Sequence, residues 1–141
     1  MKNLKIGIIG AMNEEVVELT AMIEDRRTRL VAGMAFNEGK IKGRDVVVVE
    51  CGIAKVNAAM CTQILISEFG VGALINTGVA GALHEDLNIN DVVISTDAIQ
   101  YDVDASSLGD PKGTIPRMKT SVFVADSRLI DMAYESVLDE K

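Results

Sequence analysis

The chain has 141 residues, 48% hydrophobic and 25% charged, which is enough to bury a core and predicts a single domain. Its 21 acidic and 14 basic residues give a net charge of −7, which argues against general affinity for nucleic acid or an anionic membrane. The sequence contains no run near the roughly 20 apolar residues of a membrane span and opens on a strand-like pattern. A cytoplasmic protein is therefore predicted.

Four segments are predicted to be β-strands, because each contains a short apolar run, which in Asp45–Val49 is β-branched as well. They are Leu4–Ile9, Asp45–Val49, Ala73–Asn76 and Asp91–Ile99. A weaker pair of strands is predicted within Leu30–Lys42, where the glycines are typical of a hairpin.

Three helices are predicted between and after these strands. The first begins at Asn13, a suitable N-cap, and extends to about Glu24. Apolar residues at helical spacing predict the other two, Ala54–Phe69 and Asp126–Asp139. Strands that alternate with helices predict an α/β fold with parallel strands. The irregular stretch 104–120 holds both prolines and is expected to be a lid, an interface or disordered.

The first turn, in IGIIGAMNEE (6–15), carries two carboxylates where many α/β proteins bind a phosphate. Gly7 and Gly10 match neither the dinucleotide-binding nor the P-loop spacing, and Glu14 and Glu15 would repel an anion. Two readings stay open. Both acids could simply stabilise the positive end of the helix dipole, or one could point to the carboxyl end of the sheet as a general base or water ligand.

Two further small-residue turns follow predicted strands. Gly78 and Gly81 lie in INTGVAGAL (75–83), and Gly52 and Ile53 lie in VECGIAKVNAA (49–59). Small residues at strand ends let a ligand approach the backbone, but each turn could equally be a plain connection. Lys55 is predicted to be a solvated residue at a helix start rather than a catalytic one.

The remaining candidate residues are predicted to have structural roles. Cys51 and Cys61 are predicted to be reduced and buried. His84 has no partner in the sequence and is predicted to lie in a loop. Asp102 and Asp104 in YDVD are predicted to be turn or interface residues rather than metal ligands.

Five stretches together resemble the 5′-methylthioadenosine/S-adenosylhomocysteine nucleosidases. They are KIGIIGAMNEEV (5–16), CGIAKVNAA (51–59), INTGVAGAL (75–83), NDVVISTDAIQYDVD (90–104) and KGTIP (112–116). The resemblance implies a nucleoside phosphorylase-like fold, a central mixed sheet flanked by helices, with neither metal nor organic cofactor. It also implies a homodimer that hydrolyses the N-glycosidic bond of purine thionucleosides, releasing adenine and a thioribose.

The resemblance also implies roles for individual residues. Glu15 would be catalytic and would handle the attacking water. The substrate-binding residues would be Ala11, Met12, Ile53, Val79, Ala80 and Gly81. Three residues of the 105–116 loop would cross to the partner's pocket: Ala105, Leu108 and Pro116. Val79 departs from the family, which often has serine there, and Leu108 and Asp110 stand where aromatic residues are frequent.

The resemblance covers about the first three-fifths of such an enzyme, so the chain is expected to be truncated. The family's later segments supply the backbone contacts to adenine, a ribose-binding glutamate and a general-acid aspartate. The isolated chain is therefore expected to have little activity. Two alternatives stay open: a purine nucleoside phosphorylase, against which the acidic first turn argues, and a non-catalytic nucleoside-binding or dimerisation module.

Overall fold

The computed structural model describes residues 4–138. Contacts within the chain divide it into two compact units, one ending at Gly81 and the other beginning at Ala82. The single domain expected from the length stays a prediction.

The first unit is a five-stranded sheet with two helices. Its elements are β1 (Ile6–Gly10), α1 (Asn13–Ala21), β2 (Glu24–Val31), β3 (Met34–Ile41), β4 (Arg44–Glu50), α2 (Lys55–Phe69) and β5 (Ala73–Asn76). The strand order is β2-β3-β4-β1-β5. Strand β1 pairs in parallel with β4 and β5, whereas β2, β3 and β4 form an antiparallel meander. The predicted mixed sheet flanked by helices is confirmed.

Strand β4 is buried on both faces, which explains its continuous run of valines. Val47 and Val49 belong to a cluster with the α2 residues Cys61 and Leu65, and Phe36 of β3 joins the same cluster. Val46 and Val48 face the other way, into a cluster with Val16 and Ile23 around α1. The two clusters place α1 and α2 on opposite faces of the sheet. The carboxyl ends of the parallel strands β1, β4 and β5 consequently share one edge.

Most predicted elements of this unit are confirmed. The strands predicted at Leu4–Ile9, Asp45–Val49 and Ala73–Asn76 and the helix at Ala54–Phe69 all form, with ends that differ by no more than two residues.

The first helix and the hairpin differ from prediction at their ends. The N-cap of α1 is Met12, whose backbone is extended, and Asn13 is the first helical residue. The helix ends at Ala21, and Glu24 begins β2, so the hairpin starts six residues before the predicted Leu30. Most of strand β2 lies outside that prediction, because its sequence, EDRRTRLV, is mostly charged and exposed, as in many edge strands.

The second unit contains β6 (Asp97–Ile99), a short 3-10 turn (Ser106–Leu108), β7 (Val122–Val124) and α3 (Ser127–Leu138). Strands β6 and β7 form an antiparallel pair. The strand predicted over Asp91–Ile99 is wrong for residues 91–96, because that segment has no strand to pair with among the described residues.

The last predicted helix is confirmed as α3. Asp126 precedes it and acts as an N-cap, since its Oδ1 accepts hydrogen bonds from the backbone N–H groups of Arg128 and Leu129. The predicted terminal residue, Asp139, lies outside the described residues. No helix within residues 4–138 is both long enough and apolar enough to cross a membrane.

Candidate active site

Glu15 is the side chain that joins the ends of β1 and β5. It is the third residue of α1, and its Oε2 accepts hydrogen bonds from the backbone N–H groups of Ala11 (2.7 Å) and Met12 (3.0 Å). Its Oε1 accepts a third hydrogen bond, 3.0 Å long, from the backbone N–H of Val79 in the turn after β5. The half-buried carboxylate therefore points back toward the carboxyl edge of the sheet rather than out along the helix.

These hydrogen bonds hold Glu15 in its ionised form. The Val79 N–H, followed by the Met12 and Ala11 N–H groups, lowers the pKa of the carboxyl below its ordinary value of 4.5. The associated stabilisation of the fold is complete above pH 4.5 and is lost as pH falls through the lower folded-state pKa. At neutral pH the site thus contains a fixed negative charge.

A cavity of about 580 Å³ lies at the ends of β1 and β4, and its lining includes Ala11 and Met12, whose N–H groups bind Glu15. Its lining comprises Ala11, Met12, Asn13, Glu14, Glu50, Gly52, Ile53 and Asn57. The lining includes two carboxylates and no arginine or lysine, so the cavity suits a neutral or cationic ligand better than an anion. Glu14 is exposed at the helix start and lines the cavity, whereas Glu15, which is hydrogen-bonded to three backbone N–H groups, is not among the lining residues.

The turn between β4 and α2 presents Ile53 to this cavity. Gly52 and Ala54 both have positive φ, 83° and 85°, so Ile53 lies between two left-handed residues. Asn57 supports the turn, because its Nδ2 donates a 2.7 Å hydrogen bond to the Ile53 carbonyl oxygen. The Ile53 side chain is 69% exposed and offers an apolar contact surface.

Glu50 and Asn57 are lining residues to which sequence reasoning assigned no role. Both lie inside VECGIAKVNAA. Their position near Gly52, which follows the strand, is the sequence signal that could have identified them as lining residues. Lys55 is exposed at the start of α2, as predicted.

The turn that follows β5 contributes a backbone N–H group to the candidate site rather than a side chain. Val79 donates its N–H to Glu15, while its side chain is 81% exposed. Ala80 and Gly81 are exposed, and a Cβ placed on Gly81 would meet no atom within 4 Å. The structure therefore brings together the predicted residues of the first turn and Val79, and it leaves Ala80 and Gly81 open.

The predicted partner-facing residues belong to the second unit. Ala105 is buried within that unit, Leu108 is 77% exposed at the end of the 3-10 turn, and Pro116 is half-buried. Asp104 accepts hydrogen bonds from the hydroxyl and N–H of Ser106 and pairs with Lys112 at 3.2 Å. These bonds, led by the Ser106 hydroxyl, lower the pKa of Asp104.

The remaining candidate residues lie in the core or in a loop and do not line the cavity. Cys51 and Cys61 are buried free thiols, as predicted, and burial raises the pKa of Cys61 to about 12. His84 is an exposed loop residue whose Nδ1 accepts a hydrogen bond from the N–H of Asp86. Residues 4–138 contain no group of three or more metal-ligating side chains.

The sequence profile of the Phosphorylase superfamily matches residues 5–141, nearly the whole chain. The chain belongs to the Phosphorylase superfamily.

Several relatives in the superfamily are nucleosidases. The chain is 42% identical over 133 residues to a 5′-methylthioadenosine/S-adenosylhomocysteine nucleosidase of Geobacillus sp. (strain WCH70), covering 94% of this chain and 57% of the relative. An S-adenosylhomocysteine nucleosidase from Streptococcus pyogenes, solved with 5-methylthiotubericidin, superposes with a TM-score of 0.93 at 33% identity, over 100% of this chain and 59% of that one.

A third similar structure is the nucleosidase of Colwellia psychrerythraea 34H in complex with adenine, with a TM-score of 0.90 and 38% identity over 94% of this chain and 55% of that one. The chain thus spans less than three-fifths of the length of these relatives. The fold expected from the resemblance is confirmed over the part that it covers.

Proposed function

We propose that the chain is the part of a purine thionucleoside hydrolase that carries the water-handling carboxylate. The substrates are 5′-methylthioadenosine and S-adenosylhomocysteine, and the products are adenine and a thioribose. One observation carries the proposal: Glu15 is held ionised at the carboxyl edge of the sheet by backbone N–H groups, and two of the residues that donate them, Ala11 and Met12, line an open cavity. The similarity to nucleosidases of known structure supports the choice of substrate class.

The chemistry of this bond requires a negative charge on one face of the sugar. Cleavage passes through an oxocarbenium-like state in which adenine leaves from one side and water attacks from the other. The Glu15 carboxylate orients that water and stabilises the cationic sugar by its charge. Because its pKa is low, it is a weak base. It therefore receives the water's proton late, when the forming C–O bond has acidified the water.

The neighbouring residues define the rest of the proposed site. Ala11 and Met12 line the region of ribose and water, and Ile53 offers the apolar surface for the thio-substituent. Val79, Ala80 and Gly81 form the turn along which ribose and base lie. Because Val79 has no hydroxyl, its backbone N–H is its only hydrogen-bond donor, and Glu15 accepts that hydrogen bond.

Hydrolysis fits the site better than phosphorolysis. A phosphate nucleophile needs cationic or N–H donors, but the cavity lining contributes Glu14 and Glu50 and no basic side chain. The backbone donors of Ala11, Met12 and Val79 are already engaged by Glu15. Water is therefore the proposed nucleophile.

A homodimer is part of the proposal. In it, the 105–116 loop closes the partner's pocket, and Leu108 supplies the most exposed apolar side chain of that loop. Ala105 and Pro116 contribute less accessible surface. Sedimentation of the chain at several concentrations tests this assembly, and a concentration-independent monomer would contradict it.

The function is tested with a chimera of residues 1–141 and the unmatched C-terminal part of the Geobacillus relative, whose matched part is 42% identical to this chain. We expect the chimera to release adenine from methylthioadenosine without phosphate, and residues 1–141 alone to release little. Glu15→Gln should lower kcat of the chimera by about 10²-fold or more, the low end for loss of a general base. Glu18→Gln, on the exposed face of the same helix and outside the cavity lining, is the matched control.

Each alternative has its own result in this assay. Strict dependence on phosphate would identify a phosphorylase. Adenine binding by the folded chimera without any turnover would favour the non-catalytic module. Full activity of Glu15→Gln would refute the role given to that carboxylate.

A further inference from the structure

Two glycines lie so close to the Glu15 side chain that a Cβ added to either would crowd it. A Cβ added to Gly78, in the turn after β5, would lie 2.5 Å from Oε1 and 2.8 Å from Cδ of Glu15. A Cβ added to Gly10, at the end of β1, would lie 3.0 Å from Cβ of Glu15 and 2.6 Å from Cγ1 of Val16. The carboxylate therefore occupies space that any other residue at position 78 would fill.

The backbone does not explain these two glycines. Neither has a φ in the left-handed region, so an L-residue could adopt either conformation. Gly33 and Gly43 show the opposite case: their φ angles are +81° and +74°, and an added Cβ would meet no atom within 4 Å. Those two serve hairpin turns, whereas Gly10 and Gly78 leave room for a neighbouring group.

We propose that Gly78 is a positioning residue, which holds the Glu15 carboxylate against the Val79 N–H by leaving space for it, whereas Gly10 leaves space for Val16 and the Cβ of Glu15. The consequence for catalysis rests on the proposed function; the geometric consequence does not. A methyl group at position 78 would compete with the carboxylate itself, which is the far end of a flexible side chain. The carboxylate, rather than the backbone, is therefore the group expected to move.

The displacement has a defined signature. Without the Val79 N–H, Glu15 loses the hydrogen bond that contributes most to lowering its pKa. In Gly78→Ala we therefore expect the carboxyl to titrate at higher pH than in the parent chain. The Val79 amide should exchange with solvent about tenfold faster or more, the effect of losing one charge-assisted hydrogen bond.

The experiment uses the 141-residue chain without substrate. The pKa of Glu15 is read by NMR from ¹³C-labelled glutamate, and exchange at Val79 from the ¹⁵N-labelled amide. Gly81→Ala is the matched control for these two readouts, because Gly81 lies in the same turn, has an ordinary φ and has open space around its Cβ position. It should leave both unchanged. An unchanged Glu15 pKa and Val79 exchange rate in Gly78→Ala would overturn the proposal.

A double substitution covers the case in which Gly78→Ala fails to fold. In the Glu15→Ala background the carboxylate is gone, so the methyl group at position 78 should be accepted with a much smaller shift of the urea midpoint. Additive shifts would also overturn the proposal, as would a double variant that fails to fold where Glu15→Ala alone folds. In the active chimera, Gly78→Ala should move the acid limb of the kcat profile to higher pH. A chimera without turnover would refute the proposed function but leave the two NMR readouts decisive for Gly78.

Discussion

Ala54 is in a backbone conformation that strongly favours glycine. Its φ is 85° and its ψ is 159°, a region from which the Cβ of an L-residue is normally excluded. It is the N-cap of α2, where its side chain makes no capping hydrogen bond, and it is exposed. Replacement by glycine should therefore remove strain without removing a contact.

The size of the effect follows from two opposing terms. Relief of the unfavourable conformation is worth about 1–3 kcal/mol. The greater freedom of glycine in the unfolded chain costs about 0.4–1 kcal/mol. Ala54→Gly should thus stabilise the chain by about 1 kcal/mol, which corresponds to a rise in Tm of roughly 4 °C. The measurement is urea denaturation followed by circular dichroism, with an unchanged m-value.

Ala59→Gly is the matched control, because it makes the same chemical change in the interior of α2, where Ala59 is exposed. It should destabilise the chain by about 1 kcal/mol, the usual cost of glycine in a helix. Opposite signs for the two substitutions would support the strained turn. If Ala54→Gly destabilises the chain as much as Ala59→Gly does, the reasoning is refuted.

Two further predictions concern the core. Phe36 is fully buried and stacks on Phe69 with ring centroids 4.8 Å apart. Phe36→Ala should therefore lower the free energy of unfolding, measured by urea denaturation, by about 3–5 kcal/mol. Leu30, on the neighbouring strand, is 75% exposed, so Leu30→Ala should change the free energy of unfolding by less than about 0.5 kcal/mol. Equal losses for the two substitutions would contradict the packing of Phe36 in the core. Cys61, with its thiol pKa raised to about 12, should resist iodoacetamide at pH 8 until urea unfolds the chain, whereas rapid labelling of the native chain would show that it is not buried.

The sequence by itself determined those elements whose burial follows a local pattern. The runs of β-branched residues in β1 and β4 and the helical spacing in α2 are properties of neighbouring residues, so they could be read without any knowledge of the partner. Strand β2 could not be read this way. It is an edge strand rich in arginine, and its extended backbone depends on pairing with β3.

The site divides along the same line. The sequence indicated that Glu15 follows a strand and that glycines follow β1 and β5, but it left open whether that acid serves the helix dipole or the cleft. Only the tertiary structure shows that Glu15 accepts the N–H of Val79, 64 positions away in the chain, as well as the N–H of Met12 at the start of α1. The sheet brings the ends of β1 and β5 together, and the space left at Gly78 then accepts a carboxylate that no local pattern could have placed there.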